Sequence, residues 1–216
     1  MATPSPLARR LRVGFVGDGV GPLDTSQLGA SCRFRKRNNG DTVQQLPVFG
    51  AGGECGVAVT HVLQHHNNVL IFDAQLGDKD EPQADTLASA TLWLLNQGVD
   101  MIVFCQSCEQ ASLAMTASLD RCHSVGVTLV ASMSAAWPAS HHAAIGVAVQ
   151  PQQQPGMHWL GGDACSVIHG DPLSPTVAVA DVASHMLTGV GRGLVRNDLI
   201  AHMQDHCRAS NTRRAG

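Results

Sequence analysis

The sequence predicts an α/β fold in which a parallel β-sheet carries helices on both faces. Short apolar runs recur along the chain, and most are followed by a stretch whose apolar residues have helical spacing. Single glycines separate several of these segments, which is typical of short joints between strands and helices. The chain has 216 residues, of which 44% are hydrophobic and 14% charged. This composition indicates one well-filled domain, and the alternation of strands and helices favours a parallel sheet.

Composition also limits the classes of partner. The formal net charge is −3, so no general affinity for nucleic acid is expected. The sequence lacks a membrane-length run of about 18 apolar residues, and its basic N-terminus lacks the apolar segment of a signal peptide. Seven irregularly spaced cysteines then indicate reduced thiols in a cytoplasmic protein. We expect a flexible arm over residues 1–11 and a single domain over residues 12–216.

The first strand covers residues 13–16 and ends in a Gly17-Asp18-Gly19 turn. In open α/β sheets, binding and catalytic groups lie at the carboxyl ends of the strands, so this turn marks a candidate site. A polar stretch follows, and its Asn38-Asn39-Gly40 segment predicts the tip of a hairpin. The basic cluster Arg33, Arg35, Lys36 and Arg37 is interpreted as part of a solvated loop.

The remaining elements follow from periodicity and from glycines or caps at their ends. Gly98 and Gly126 are predicted to end two helices, and Asn197 to cap the last one. The predicted strands are 69–76, 99–105, 127–131 and 145–149, and the predicted helices are 57–66, 83–97, 110–125, 176–187 and 197–207. Residues 150–155 are expected to form a polar loop.

The crowded glycines do not form a dinucleotide-binding fingerprint. Gly14, Gly17, Gly19 and Gly21 are spaced G-x-x-G-x-G-x-G and lead into Pro22 rather than into a helix. The carboxylates Asp73, Asp78, Asp80, Glu81 and Asp85 are interpreted as a solvated face around one loop. We therefore predict no bound cofactor.

The cysteine and histidine spacings do not complete a metal site. Cys105 and Cys108 form a C-x2-C pair, with Cys122-His123 further along the chain. Structural zinc needs four convergent ligands, whereas the adjacent side chains of Cys122 and His123 should diverge. His61 and His65 lie at i, i+4 on one predicted helix face, but this pair lacks further ligands. We predict no metal site.

The order of the segments resembles the subtilisin-like serine proteases (subtilases). Residues 12–22, RVGFVGDGVGP, are similar to that family's first strand and its D-[ST]-G-[IV] turn. Residues 55–63, CGVAVTHVL, resemble the start of the H-G-T-x-x-A-x-x-[IV] helix, and residues 174–184, SPTVAVADVAS, resemble G-T-S-M-A-x-P-H-V-A-G. The other segments similar to the family are 69–76, 87–107, 126–135 and 138–147. The compact size most resembles the small subtilases that process the peptide subunit of quinohemoprotein amine dehydrogenase.

The resemblance places the family's catalytic positions on residues that lack the required groups. The catalytic Asp falls on Gly17, with Asp18 next to it; the His falls on Cys55, the Ser on Thr176 and the oxyanion-hole Asn on Ala135. A hydroxyl nucleophile needs a base that a third group orients. Loss of such a triad costs roughly 10⁶-fold in kcat, so hydrolysis by the family's mechanism is not expected.

Two rearrangements remain open at this point. Cys55 could pair with a histidine from elsewhere, such as His169 or His141, to form a Cys–His dyad. Asp18 could also take the place of the family's Asp by a one-residue shift of the turn. We favour an inert buried thiol in a vacated pocket over the dyad, because a thiol acts as a base or nucleophile only as the thiolate.

Peptide binding can survive the loss of catalytic groups. In subtilases the substrate pairs as an added strand with two backbone edges, and such pairing uses main-chain groups. By resemblance these edges are Cys105, Gln106 and Ser107 on one side and the loop with Gly77, Asp78 and Asp80 on the other. The acidic loop would favour a basic peptide, unless it is only a solvated turn.

The sequence therefore predicts a degenerate subtilase, a pseudoprotease that binds a peptide or protein partner, and the resemblance suggests peptide maturation as its setting. A second hypothesis is an active endopeptidase that cleaves leader peptides with rearranged catalytic residues. A third is a non-catalytic subunit of an active protease paralogue.

Overall fold

The structure is a computed structural model that describes residues 9–36, 43–47, 54–77, 84–106, 108–133, 137–151, 156–169 and 175–212. Its strands are β1 (Leu11–Gly17), β2 (Leu28–Lys36), β3 (Val43–Pro47), β4 (Val69–Leu76), β5 (Met101–Phe104), β6 (Thr128–Ser132), β7 (Ala144–Pro151), β8 (Gly156–Gly161) and β9 (Ala164–His169). Its helices are α1 (Glu54–His65), α2 (Ala84–Asn96), α3 (Leu113–Ser124), α4 (Pro175–Gly191) and α5 (Arg196–Thr212).

The strands form one sheet with the order β3-β2-β4-β1-β5-β6-β7-β9-β8. β1 lies inside this sheet and pairs in parallel with β4 on one side and β5 on the other. Among the described strands, the two outermost pairings, β2 with β3 and β8 with β9, are antiparallel and the others are parallel. Because a parallel strand needs a crossover connection, the helices between the strands cover the faces of the sheet.

Two apolar cores lie on opposite faces of the sheet. One contains buried side chains of α1 and α4, including Val59 and Val182. The other contains buried side chains of α2 and α3, including Leu94 and Leu119. The predicted α/β class, with helices on both faces, is therefore confirmed. Among the described residues, every helix is too short or too polar to cross a membrane.

Several predicted boundaries agree with the structure. The strand predicted at 69–76 is β4, and the helices expected to end before Gly98 and Gly126 are α2 and α3. Both glycines have positive φ, 67° and 81°, which L residues rarely adopt. The Asn38-Asn39-Gly40 turn lies outside the described residues, but β2 and β3 pair as an antiparallel ladder on its two sides.

The interpretation of the basic cluster as a solvated loop is wrong for its described members. Arg33, Arg35 and Lys36 belong to strand β2, while Arg37 lies outside the described residues. Cys32 and Phe34, which alternate with Arg33 and Arg35, are buried. This is the alternation expected of a strand that has only one face in the core.

Three further expectations need correction. Residues 156–161 and 164–169 form the β8–β9 hairpin, which was not predicted, and β7 extends to Pro151 into the expected loop. Helix α5 begins at Arg196, so Asn197 lies inside the helix rather than at its cap. The end of the expected arm is tied to the sheet: β1 begins at Leu11, and Arg9 Nη2 lies 2.5 Å from Asp100 Oδ1.

Helix α3 begins at Leu113 rather than at residue 110 because Ser112 caps it. The Ser112 backbone is extended, and its side chain accepts a hydrogen bond of 3.1 Å from the Met115 N–H. This contact satisfies one of the backbone donors that a helix leaves without a partner in its first turn.

We predict that Ser112→Ala lowers the free energy of unfolding by about 1 kcal/mol, because it removes this cap. Ser112→Asp should retain the stability, since a carboxylate also caps and favours the positive end of the helix dipole. Urea denaturation followed by circular dichroism measures both. The matched control is Ser124→Ala at the exposed other end of the same helix; an equal loss in both alanine variants would contradict the assignment of Ser112 as the cap.

Candidate functional site

The carboxyl ends of β1 and β5 lie side by side and form the floor of the candidate site. The backbone N–H groups of Cys105 and Gln106 both donate to the Val16 carbonyl, at 2.9 and 3.4 Å. Gly17 and Asp18 follow directly on β1. The structure therefore brings together the first-strand turn and the Cys105 edge, two segments that the sequence analysis selected separately.

Asp18 binds the N-terminus of α1. Its Oδ1 accepts a hydrogen bond of 3.1 Å from the backbone N–H of Cys55, in the first turn of that helix. The first N–H groups of a helix have no acceptor within the helix, and a negative charge is favourable at that end. The Asp18 carboxylate thus fixes where α1 starts relative to β1.

The Cys55 thiol fills the space beside Gly17. A Cβ atom added at Gly17 would lie 2.4 Å from Cys55 Sγ and 3.2 Å from Cys105 Cβ. Contacts below about 3 Å between such atoms are strongly repulsive, and a close-packed interior has little room to relax. With cysteine at position 55, position 17 can hold only glycine unless the packing changes.

Cys55 is held as an uncharged thiol. Its side chain is fully buried. Burial raises the pKa of Cys55 well above its ordinary value, and the neighbouring Cys105 thiol and the charges of Asp18 and Asp73 raise it further. At neutral pH the group is therefore neither a thiolate nucleophile nor a base.

Thr176 lies in the first turn of α4 and is buried, with 3% of its surface exposed. The next residue, Val177, lines an open cleft of about 660 Å³ together with Gly56 and Val57 of α1. The turn after β1, from Val20 to Leu23, forms another wall of this cleft. The first turns of α1 and α4 and the turn after β1 therefore meet at one cleft.

Asp73 is a buried member of this region that the sequence analysis misjudged as part of a solvated face. It is 1% exposed, and its Oδ2 accepts hydrogen bonds from Ser31 Oγ at 2.8 Å and Gln75 Nε2 at 2.7 Å. Burial raises the pKa of Asp73, although these hydrogen bonds oppose the change. Its position inside the apolar run VLIFDAQL was the signal that it would point into the core.

The alternative Cys–His dyad with His141, which the sequence left open, is not formed. His141 precedes β7, and β7, β6, β5 and β1 are parallel, so His141 lies at the edge of the sheet where β1 begins. Gly17 and Cys55 lie at the opposite edge, about 20 Å away along strands of this length. The backbone of His169 ends β9, four strands from β1 in the sheet, and its side chain lies outside the described part of the chain.

The predicted peptide edges are described only in part. Gly77 donates its N–H to the Phe34 carbonyl at 2.7 Å, so this group belongs to the pairing of β4 with β2. Gln106 Oε1 is buried without a hydrogen-bond partner among the described residues. The predicted residues Ser107, Asp78, Asp80 and Ala135 lie outside the described residues.

The metal candidates from the sequence do not converge in the described residues. Cys108 Sγ donates to the Gln110 carbonyl, Cys122 is fully buried, and His61 Nε2 lies 3.1 Å from Asp181 Oδ1. A different set of three potential ligands, Asp120, His141 and His142, does come together. This set lies at the amino ends of the parallel strands, whereas the cleft lies at their carboxyl ends.

Solved protease structures share this fold. The S41 psychrophilic protease aligns with a TM-score of 0.64 and 12% identity over 92% of this chain and 83% of its own. Sphericase aligns with a TM-score of 0.63 and 12% identity over 92% and 85%. A lanthipeptide protease aligns with a TM-score of 0.56 and 12% identity over 82% and 71%. These are subtilisin-like proteases, so the chain has a subtilisin-like fold, as predicted.

Comparisons by sequence gave no match to a family model or to a curated protein. At 12% identity, the structural likeness establishes the fold and leaves the chemistry to the residues of this chain.

We predict that Gly17→Ala lowers the free energy of unfolding by about 1–3 kcal/mol, because the new methyl group collides with Cys55 Sγ. Cys55→Ala removes that sulfur, so the double variant should lose less stability than the sum of the two single variants. Chemical denaturation of the four proteins measures this coupling.

Gly191→Ala is the control, because a Cβ there meets Leu11 at an ordinary 3.4 Å; its stability should change by no more than about 0.5 kcal/mol. Strict additivity of Gly17→Ala and Cys55→Ala would contradict the packing described here.

Proposed function

We propose that this protein is a pseudoprotease that uses a subtilisin-like fold to bind a peptide or protein partner without cleaving it. The observation that carries the proposal is the contact between Gly17 and Cys55. The thiol takes the space that a side chain at position 17 would need. Neither position then offers a carboxylate or an imidazole for catalysis.

Acyl transfer needs a nucleophile, a base within hydrogen-bond reach and a group that orients the base. Thr176 offers a hydroxyl, but it is buried. Cys55 is buried too, and its raised pKa keeps the proton on sulfur. Asp18 directs one carboxylate oxygen to the backbone of Cys55. These three residues therefore do not make a proton relay of the triad type.

Two surfaces near the first turns of α1 and α4 support peptide binding, namely the cleft and the Cys105 edge. The cleft is lined mainly by apolar groups, including Val20, Pro22 and Val57, and apolar clefts with a few polar groups are typical binding sites. At the carboxyl end of β5, Cys105 and Gln106 are half-buried, so this edge offers a second surface. We propose that an extended peptide lies across both, with its main chain along the Cys105 edge.

The acidic residues Asp78 and Asp80 follow Gly77 in the sequence. We propose on charge grounds that the bound peptide is basic. An active paralogue with such a segment, or a leader-bearing peptide, would satisfy the same chemistry.

The test is to incubate the purified protein with a synthetic peptide library and analyse both products and bound peptides by mass spectrometry. We predict no cleavage above that seen with Cys55→Ala and Thr176→Ala, together with saturable binding of a subset rich in Lys and Arg. Cleavage that either substitution abolishes would mean an active peptidase and would overturn the proposal.

A second pair of variants tests the location of binding. Val57 lines the cleft and is 54% exposed, whereas Val195 is 63% exposed beyond the far end of α4. We expect Val57→Asp to weaken peptide binding by at least about tenfold, because it places a charge in the apolar contact. Val195→Asp should leave the affinity unchanged. Equal affinities for both variants would place the peptide outside the cleft.

A further inference from the structure

A cluster of imidazole and carboxylate groups lies at the edge of the sheet opposite the cleft. Asp120 is in the second half of α3, which ends just before β6 begins. His141 and His142 lie in the turns that precede β7. The starts of β6 and β7 are adjacent because the two strands are parallel neighbours. The fold thereby joins side chains separated by about twenty residues of sequence.

The spacing of the cluster fits a small metal ion. His142 Nε2 lies 3.4 Å and His141 Nε2 3.6 Å from Asp120 Oδ1. One ligand atom from each of the three residues lies within 4.8 Å of the others. Tetrahedral zinc with bonds of about 2.0–2.1 Å separates its ligand atoms by about 3.3 Å. The two distances to Asp120 therefore match this spacing to within about 0.3 Å.

The two histidines converge although they are adjacent in sequence. Their ring centroids are 4.3 Å apart and their planes differ by 34°. Neighbouring side chains diverge along a strand or a helix, but residues 138–143 form turns and bends, where this restriction does not hold.

We propose that Asp120, His141 and His142 bind a divalent transition metal ion of the zinc class. Two imidazoles and one carboxylate suit Zn²⁺, Co²⁺ or Ni²⁺, whereas Ca²⁺ and Mg²⁺ prefer sites made only of oxygen. His123 follows Asp120 by three residues on α3, and its ring centroid lies 5.9 Å from that of His142. The fourth position is taken by His123 or by water.

His141 is the buried member of the cluster, with 5% of its surface exposed. Its Nδ1 accepts a hydrogen bond of 3.2 Å from the Ala143 N–H, which places the proton on Nε2, facing Asp120.

Coordination through Nε2 moves this proton to Nδ1 and breaks the bond to Ala143. One backbone hydrogen bond is a small loss beside a metal–imidazole bond. The exchange also provides a local signal, because the Ala143 amide loses its acceptor only when His141 binds the ion.

The experiment is isothermal titration of the full chain, freed of metal by a chelator and kept reduced, with ZnCl₂ alone. We expect saturable binding of one ion with a micromolar or lower Kd, and a shift of the Ala143 amide resonance on addition of zinc. Asp120→Asn and His142→Asn should each weaken binding by at least about tenfold. Both residues are exposed, and circular dichroism of the metal-free variants should match the parent.

The matched control is His61→Asn. His61 also faces an aspartate, with Nε2 3.1 Å from Asp181 Oδ1, and His185 lies near the same carboxylate; these three do not form a group of mutually close ligand atoms. Its substitution should leave the Kd unchanged. The proposal is overturned if no saturable binding occurs, or if Asp120→Asn and His142→Asn bind zinc as tightly as the parent, which would assign the ion to cysteines.

Discussion

The carboxyl end of β1 packs directly against the first turn of α1, and the space between them holds one side chain. That side chain is Cys55, whose sulfur lies 2.4 Å from where a Cβ at Gly17 would stand. Because a packed interior cannot hold two groups in that volume, the two positions are coupled. A catalytic pair at the same positions would need a different packing of both.

The polar groups around the contact have structural roles. Asp18 holds the end of α1 through the Cys55 N–H. Asp73 is buried beneath it and is hydrogen-bonded by Ser31 and Gln75. Burial raises the pKa of Asp73, and the Asp18 charge raises it further; both carboxylates also raise the pKa of Cys55. The local field therefore opposes formation of a thiolate, whereas reactive cysteines lie in electropositive surroundings. The two carboxylates bind the start of α1 and buried side-chain donors.

The sequence analysis predicted the α/β class and most central elements, because buried parallel strands such as VLIFDAQL are continuous apolar runs bounded by joints. It failed where local composition opposed the tertiary structure. Strand β2 carries Arg33 and Arg35 on one face, and the charges masked the alternation with Cys32 and Phe34. The resemblance aligned Gly17 and Cys55 with the family's catalytic Asp and His. It could not predict that these two residues are in contact, because a sequence pattern contains no distances. In the same way, the sequence analysis considered His123 and its neighbour Cys122 together as candidate metal ligands, whereas the ring next to His123 in space is that of His142.

The reactivity of Cys55 tests the central claim most directly. The folded protein would be treated with an alkylating reagent over a series of pH values, and each cysteine followed by peptide mass spectrometry. The account predicts that Cys55 stays unmodified at pH 7–8, as expected for a buried thiol with a raised pKa, while the partly exposed Cys105 reacts; in denaturant both should react. Alkylation of Cys55 in the folded protein at neutral pH, at a rate equal to or above that in denaturant, would reveal an accessible thiolate and contradict the account.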